Sequence, residues 1–430
     1  MLALLRRNPR FARLWGAQVV SALGDWLNRI AILALIGKLG GRGQAAGVGL
    51  PFAVEYVLRM LPTATFSPLA GPLADRLPRR AIMITADVLR SAIVLCLLTV
   101  DEPGELPRLY ALIFAQMAVA IFFDSARSGA LPNTVAREDL HGAYALSAAT
   151  WSTMLAVGAF LGGTLVEVVG IQAVFALDAL TYLVSAGFLI GLVLPATPRQ
   201  PEPFRFRDVL LMTDLRRGFA HTRSLGIWPM LFSKVLWSPC GGFLVLFPLL
   251  AAHYDGGGGV PDMEEVGGTI GLLFAARGVG TGLGPLLSRR FFGSSETTLV
   301  RMTWGGMLVG ASGYLALAFV DTLGPALLFV VLSHMGGSAQ WVGSTTYWQR
   351  RIDDAYRGRV FATEFLLMTL SFSVFALLAG LTYDLTGSLR TVMLLLVGVT
   401  AVGGLVGAAW FRVLPRDTAP APAPAGPAAD

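Results

Sequence analysis

Charge is scarce in this chain. Asp, Glu, Lys and Arg make up 14% of its 430 residues, against about 25% in soluble domains. Hydrophobic residues reach 54%, and the mean hydropathy is +0.64. So few charges cannot clothe a soluble globule holding that much apolar side chain, and the apolar content equally excludes a disordered chain. Cysteine is almost missing. Cys96 and Cys240 both lie in apolar runs, which excludes a disulfide scaffold and a cysteine zinc site, and no His/Cys cluster supports any metal. The short alternating segments of an outer-membrane barrel are absent. A G-x-x-x-x-G-K-[ST] loop is also missing, which argues against an ATP-powered pump. Gly256–Gly259 lacks a nucleotide-fold context, and Gly278, Gly280 and Gly282 fall inside an apolar run, where they serve packing. No serine or cysteine nucleophile triad is recognisable. The expectation is therefore no enzyme, no cofactor, no metal and no nucleic acid.

Long apolar runs are what the sequence does have. A membrane-spanning helix takes about 20 residues. Twelve runs fit, near 12–37, 46–70, 81–100, 109–128, 141–166, 171–194, 228–252, 266–288, 299–320, 324–349, 360–383 and 390–412. The 50 glycines and 13 methionines suit helices packed in lipid. Arg6, Arg7, Arg10 and Arg13 precede the first run, which lacks a cleavage site and reads as a retained helix rather than a signal peptide. The predicted fold class is an all-α polytopic membrane protein.

The net charge of +6 has a topological source. With a cytoplasmic N-terminus, connectors and tails on that side hold 24 basic residues, among them Arg76, Arg79, Arg80, Arg127, Arg137, Arg289, Arg290, Arg350, Arg351, Arg357 and Arg359. The opposite connectors hold only Lys38, Arg42, Arg108 and Arg390. That bias places both termini in the cytoplasm and favours an even helix number. The outer connectors are acidic instead, with Asp101, Glu102 and Glu105 in one and Asp255, Asp262, Glu264 and Glu265 in another. The predicted organisation is an N-terminal six-helix bundle at 1–194, a cytoplasmic linker at 195–227, a C-terminal six-helix bundle at 228–414, and a disordered Ala/Pro-rich tail at 415–430.

An internal repeat supports that division. Gly71-Pro72-Leu73-Ala74-Asp75-Arg76 returns as Gly284-Pro285-Leu286-Leu287-Ser288-Arg289, and looser echoes occur at Leu161–Thr164 with Leu378–Leu381 and at Leu140–Gly142 with Tyr356–Gly358. Near-constant spacing points to a duplicated six-helix unit, hence two bundles related by a pseudo-two-fold axis, able to rock around a shared cavity.

These residues also carry a resemblance. Gly71 through Arg80, with its glycine, Asp-Arg and paired basic residues, resembles the loop signature of the major facilitator superfamily. Asn8–Trp15, Ser21–Asp25, Asp87–Arg90, Leu131-Pro132 and Glu138–Leu140 resemble the bacterial subgroup of macrolide efflux proteins and enterobactin exporters. The resemblance covers about residues 8–412. It implies a gating charge network at Gly71, Asp75, Arg76, Arg79 and Arg80. The residue types agree: Asp75 can cap a helix end and pair with basic side chains, and Gly71 permits close approach. Asp87, Arg90 and Asp124 are expected to join it.

Charges inside spans face partners or water. Asp25 and Arg29, and Glu55 and Arg59, are four apart and share helix faces. Each pair reads equally as bundle structure or as cavity lining. The resemblance implies a pathway lined by the first, fourth, seventh and tenth helices. Asp25 is the foremost proton-coupling candidate and Asp178 a second. Arg277 is expected to attract an anionic substrate or pair with Glu364. Lys234 is expected to snorkel to the interface, and His334 to be hydrogen-bonded structure. Trp26, Tyr56, Phe66, Trp151, Phe243, Trp341, Tyr347 and Trp348 offer a bulky pocket or plain packing.

The expected function is a secondary active transporter of the inner (plasma) membrane. It exports amphipathic small molecules, drug- or macrolide-like, by alternating access. Its partners are a small-molecule substrate, protons as the coupling ion, and membrane lipids, and it works as a monomer. Alternatives are a siderophore or anionic metabolite exporter, a lysophospholipid transporter, and, from a different class, a transporter-like sensor or scaffold.

Overall fold

The computed structural model describes residues 2–41, 47–194, 219–255, 265–292 and 295–413. Most of the expected linker, the 256–259 glycine run with Asp262 and Glu264, and the 415–430 tail lie outside the described residues. Every regular element that is described is helical. In chain order these are α1 (Leu2–Arg7), α2 (Pro9–Gly41), α3 (Gly49–Arg76), α4 (Arg79–Leu97), α5 (Leu106–Ala130), α6 (Leu140–Val169) and α7 (Ile171–Ile190), then α8 (Trp228–Leu236), α9 (Pro239–Asp255), α10 (Gly267–Phe292), α11 (Glu296–Leu317), α12 (Leu323–Gln349), α13 (Asp354–Thr386) and α14 (Leu389–Val413). Short 3₁₀ turns precede α5 and lie between α5 and α6.

Among the described residues, nine helical stretches are long and apolar enough to cross a membrane. The helices α3, α4 and α11 fall outside that set. Glu55, Arg59 and three prolines interrupt α3, Asp87 and Arg90 interrupt α4, and glycine, threonine and serine dilute α11. The outer surface shows what solvent the fold expects. Leu328 and Leu385 are 70% and 85% exposed, a placement that hydrocarbon tolerates and water penalises. The chain is a multi-pass membrane protein.

One expected helix is two. The run 228–252 breaks between α8 and α9 at Trp237 and Ser238. Pro239 has no N–H to donate and disfavours a helical conformation at Ser238. The freed carbonyls are taken by tightened turns, Ser238 N to Val235 O at 3.1 Å and Gly241 N to Ser238 O at 2.8 Å. The opposite economy joins α6 to α7. Gly170, with φ +82°, reverses the chain in one residue, a conformation natural to glycine.

Packing orders the helices. The helix α2 lies against α6 and α7, and α4 against α5 and α7, while α3 packs on α5. Further along the chain α12 packs on α10 and α11, α13 on α9, and α14 on α11. Two seams join early helices to late ones: α6 against α10, and α3 against α13. Both run on small residues. A β-carbon at Gly271 would meet Ala159 O at 2.6 Å, one at Gly278 would meet Ala156 N at 2.6 Å, and one at Gly49 would meet Gly380 O at 2.6 Å. Only glycine lets these backbones touch.

Asp384 of α13 clasps the second seam. Its carboxylate accepts Gly49 N–H at 2.7 Å and Leu50 N–H at 2.9 Å, two amides at the start of α3 that have no intrahelical acceptor. Replacing Asp384 with alanine is expected to remove about 0.5–2 kcal/mol of closure at this end, the scale of a helix cap. Faster thiol labelling of a Leu50→Cys probe in that background would register it; an unchanged rate would mean the seam closes without the clasp.

Candidate functional site

Three buried polar groups occupy the helical body. The first joins α2, α4, α5 and α7. Helical spacing puts Ser21, Asp25 and Asn28 on one face of α2, Asp87 and Arg90 on one face of α4, and Asp178, Tyr182 and Ser185 on one face of α7. At its centre Arg90, 2% exposed, donates to Asp87 Oδ1 at 2.5 Å and to Ser21 Oγ at 3.2 Å. Its Nη1 stands 3.6 Å from Asp25 Oδ1. Tyr182 OH donates to the same Asp25 oxygen at 2.5 Å and accepts Gln116 Nε2 at 2.9 Å. Ser185 Oγ donates to Asp87 Oδ2 at 2.7 Å. The Arg90 guanidinium also lies over the rings of Tyr182 and Phe123, at 4.3 and 4.6 Å. Beside this network Asp178, fully buried, accepts Asn28 Nδ2 at 2.7 Å and Thr181 Oγ1 at 3.2 Å.

The second group lies where α2, α3 and α10 approach. Arg59 Nε donates to Glu55 Oε1 at 2.7 Å, both buried, as their spacing predicts. Arg29 does not pair with Asp25. Its guanidinium sits 5.5 Å from the Trp26 ring centroid, 5.9 Å from Tyr56 and 5.1 Å from Phe274. Asp25 is instead engaged by α4 and α7, so a shared helix face did not become a shared bond. Arg277 does not pair with Glu364. Its guanidinium lies 5.9 Å from the same Trp26 ring.

Glu364 belongs to the third group, with α8 and α12. Its Oε2 accepts Lys234 Nζ at 2.7 Å, and its Oε1 accepts Trp348 Nε1 at 3.0 Å. Lys234 also donates to Thr345 Oγ1 at 2.8 Å and stands 4.2 Å from the Trp341 ring centroid. At 2% exposure it does not snorkel: its ammonium is turned inward to the carboxylate on α13. On the Arg277 side of the second group, Tyr314 OH meets His334 Nε2 at 2.8 Å and Cys240 Sγ at 3.4 Å, under a Phe243 ring stacked 3.6 Å away, so His334 is hydrogen-bonded within the packing.

The presumed gating residues sit apart from these groups, at the arginine-rich end. Arg79 bonds Asp75 Oδ1 at 2.9 Å, Ala74 O at 3.1 Å and Gly129 O at 2.5 Å, tying α3, α4 and α5 together. Asp75 lies in the last turn of α3 and caps no helix start; Pro78 occupies the N-cap of α4. Gly71 meets nothing within 4 Å of an added β-carbon, so close approach is not its reason. Its repeat partner Gly284 does pack tightly, against Met335 and Ser338. Asp87 and Arg90 do not join Asp75, since each satisfies the other. Asp124 turns to Arg127 at 3.5 Å on the exposed side of α5.

Sequence reasoning missed Tyr182, Asn28, Gln116 and the Lys234–Glu364 bond. Tyr182 stands four residues after Asp178, a legible spacing. The others depend on which helices meet. No group of three or more His, Cys, Asp or Glu able to hold a metal occurs among the described residues.

Comparison with known proteins fits this architecture. The chain is 24% identical over 388 residues to macrolide efflux protein A of Streptococcus pyogenes, covering 88% of this chain and 90% of that protein. It is 29% identical over 233 residues to the uncharacterized MFS-type transporter YfiS of Bacillus subtilis (strain 168), a match to 54% of this chain and 53%, about half, of that protein's length. The crystal structure of an auto-inhibited POT family peptide transporter superposes with a TM-score of 0.70 at 13% identity, covering 96% of this chain and 99% of that one. The sequence model of the Major Facilitator Superfamily matches residues 14–362, and the chain belongs to that superfamily of membrane transporters.

Proposed function

We propose that this transporter exports amphipathic small molecules across the bacterial inner membrane, in exchange for protons, by alternating access. Twelve spans form two six-helix bundles, residues 1–194 and 228–414, with both termini cytoplasmic and the monomer as the working unit. The efflux for which macrolide efflux protein A is named, a protein matched over most of both chains, supports the direction and the substrate class. The packing of early helices with early ones and late with late, joined by two seams, supports the division into bundles.

The observation that carries the reading is a one-sided seal. Trp26 through Gly37 of α2 are buried without a break, as are Pro239 through Ala251 of α9. The glycine seams and the Asp384 clasp lie toward the same end, remote from the arginine-rich connectors. Asp25, one residue before the sealed stretch, keeps 36% of its side chain exposed. An ionisable group beside the sealed stretch that is still partly exposed supports a coupling role, with access from the arginine-rich side as part of the proposal. Protonation removes the charge that attracts Arg90 and loosens the tie between α2 and α4. The Asp75–Arg79 pair, with Arg76 and Arg80, would steady the arginine-rich end through the cycle, and Asp178 is a reserve proton site.

The test is flux in reconstituted vesicles under an imposed pH gradient, with a macrolide and an amphipathic carboxylate each offered as substrate and internal pH followed by a trapped dye. Wild type is expected to couple the two flows. Asp25→Asn is expected to lower substrate-driven proton flux about tenfold or more, because an amide carries no exchangeable charge, while retaining substrate binding. Undiminished proton flux would remove Asp25 from the coupling step. Movement of both probes indifferent to the presence of protein would reject export.

A further inference from the structure

Cations inside the helical body without an ion-pair partner among the described residues are the anomaly of this molecule. Arg90 has Asp87 and Asp25, Arg59 has Glu55, and Lys234 has Glu364. Among the described residues Arg29, buried, and Arg277, part-buried, have no ion-pair partner. Arg29 is 7% exposed, and its Nε is buried without a hydrogen-bond partner among the described residues. Arg277 leaves both Nε and Nη1 in that condition. Glu55 is the acidic group that acts most on Arg29, but its ion pair is with Arg59, and Asp25 is engaged by Tyr182 and Arg90. The rings of Trp26, Tyr56 and Phe274 attract the Arg29 charge through their faces. They supply no in-plane acceptor for its N–H groups. Such donors are costly to leave unmade in a low-dielectric interior, and planar guanidinium suits an oxyanion.

We propose that Arg29 and Arg277 form an anion site, and that the exported molecules are amphiphiles bearing an oxyanion, a carboxylate foremost. Both guanidiniums stand near the one Trp26 ring, 5.5 and 5.9 Å from its centroid, and the proposal is that one head group bridges them. The aromatic wall of Trp26, Tyr56 and Phe274 then receives the apolar body. The site lies between α2 and α10, helices on opposite sides of the division between bundles, so an occupant contacts both bundles at once. This inference takes its substrate from the export reading.

Binding in nanodiscs separates the two ideas. The probes are 11-(dansylamino)undecanoic acid and its primary amide, matched in apolar body and differing in charge. In phosphatidylcholine discs, wild type is expected to prefer the acid by about tenfold or more, the scale of one charge-assisted hydrogen bond. Arg29→Gln with Arg277→Gln is expected to abolish that preference and leave the amide unaffected, whereas Arg29→Lys keeps a reduced one. Thermal unfolding gives a readout that a merely structural arginine would move the other way. Arg29→Gln is expected to raise the Tm of the empty protein, because it removes a buried charge with no ion pair of its own, Arg277→Gln, part-buried, to raise it less, and each to cancel the further rise that the acid gives wild type. Equal binding of acid and amide by wild type, or a lowered Tm in both variants, overturns the site. Competitive displacement of the acid by added phosphatidylglycerol would make the bound oxyanion a lipid head group and overturn the substrate assignment. Discrimination without flux refutes export alone, and flux without discrimination refutes this site alone.

Discussion

Glu364→Ala is expected to destabilise the transporter by about 3–5 kcal/mol, because it strands a lysine ammonium in the interior. Lys234 and Glu364 are each 2% exposed, and their 2.7 Å bond is the only charge neutralisation given to Lys234 among the described residues. Thr345 and the Trp341 face would remain beside it, but a hydroxyl and a ring do not replace a carboxylate. The bond also spans α8 and α13, so its loss unfastens the broken α8–α9 run from its neighbour. Glu364→Gln should cost less, since the amide oxygen still accepts from Lys234 and Trp348. The double variant Lys234→Met with Glu364→Leu is expected to recover most of the loss, as apolar replacement of a whole buried pair commonly does. Unfolding midpoints in detergent, followed by tryptophan fluorescence, check the series. A Glu364→Ala loss below about 1 kcal/mol would mean that water reaches Lys234 and that the pair lines an open path. Flux completes the assignment: if the double variant regains stability and flux together, the pair is structural, and if it regains stability alone, the charges act in transport.

That pair marks the limit of what the sequence could disclose. The helical body was legible because lipid imposes a simple rule, long apolar runs punctuated by arginine on one side. The helices α5, α6, α7, α10, α12 and α14 fall close to their expected positions for that reason. Local pairs were legible when both partners had nothing better nearby: Glu55 with Arg59, Asp75 with Arg79, Asp87 with Arg90. Spacing failed for Asp25 and Arg29, which share a face of α2 yet look elsewhere. Asp25 meets Tyr182 and Arg90 from two other helices, and Arg29 meets three aromatic rings. Which helices touch is set by packing over distances of more than a hundred residues along the chain, and Lys234 with Glu364 is such a case. The break at Ser238 had its signal in Pro239, flanked by Trp237 and a pair of glycines, but unbroken hydropathy masked it. Gly71 drew attention through its motif, while the glycines that bring helices into contact, Gly163, Gly271 and Gly380, stand in unremarkable apolar text.

Those glycines carry the second large effect. Gly163→Val is expected to reduce transport about tenfold or more and to hold the sealed end open. A β-carbon at residue 163 would collide with the Gly267 carbonyl and with the Gly271 backbone. Backbone cannot swing aside as a side-chain tip can, so α6 and α10 must separate. Overpacking of this kind costs typically 1–3 kcal/mol, about a hundredfold in a two-state population at the upper end. The cost falls on the closed arrangement alone, because the two backbones part when that end opens. The seam runs from Ala156 to Val166, about 15 Å of helix, so relief at one point does not relieve its neighbours. Gly187→Val is the control: nothing lies within 4 Å of a β-carbon there, and flux should be unchanged. Thiol labelling of a Leu50→Cys probe reports the opening, since Leu50 sits beside the Asp384 clasp on the other seam. Faster labelling in the Gly163→Val background would show both seams parting as one rigid movement. Normal labelling with normal flux would mean that α6 and α10 absorb the methyl groups locally, and that the tight glycine contact plays no part in closing the transporter.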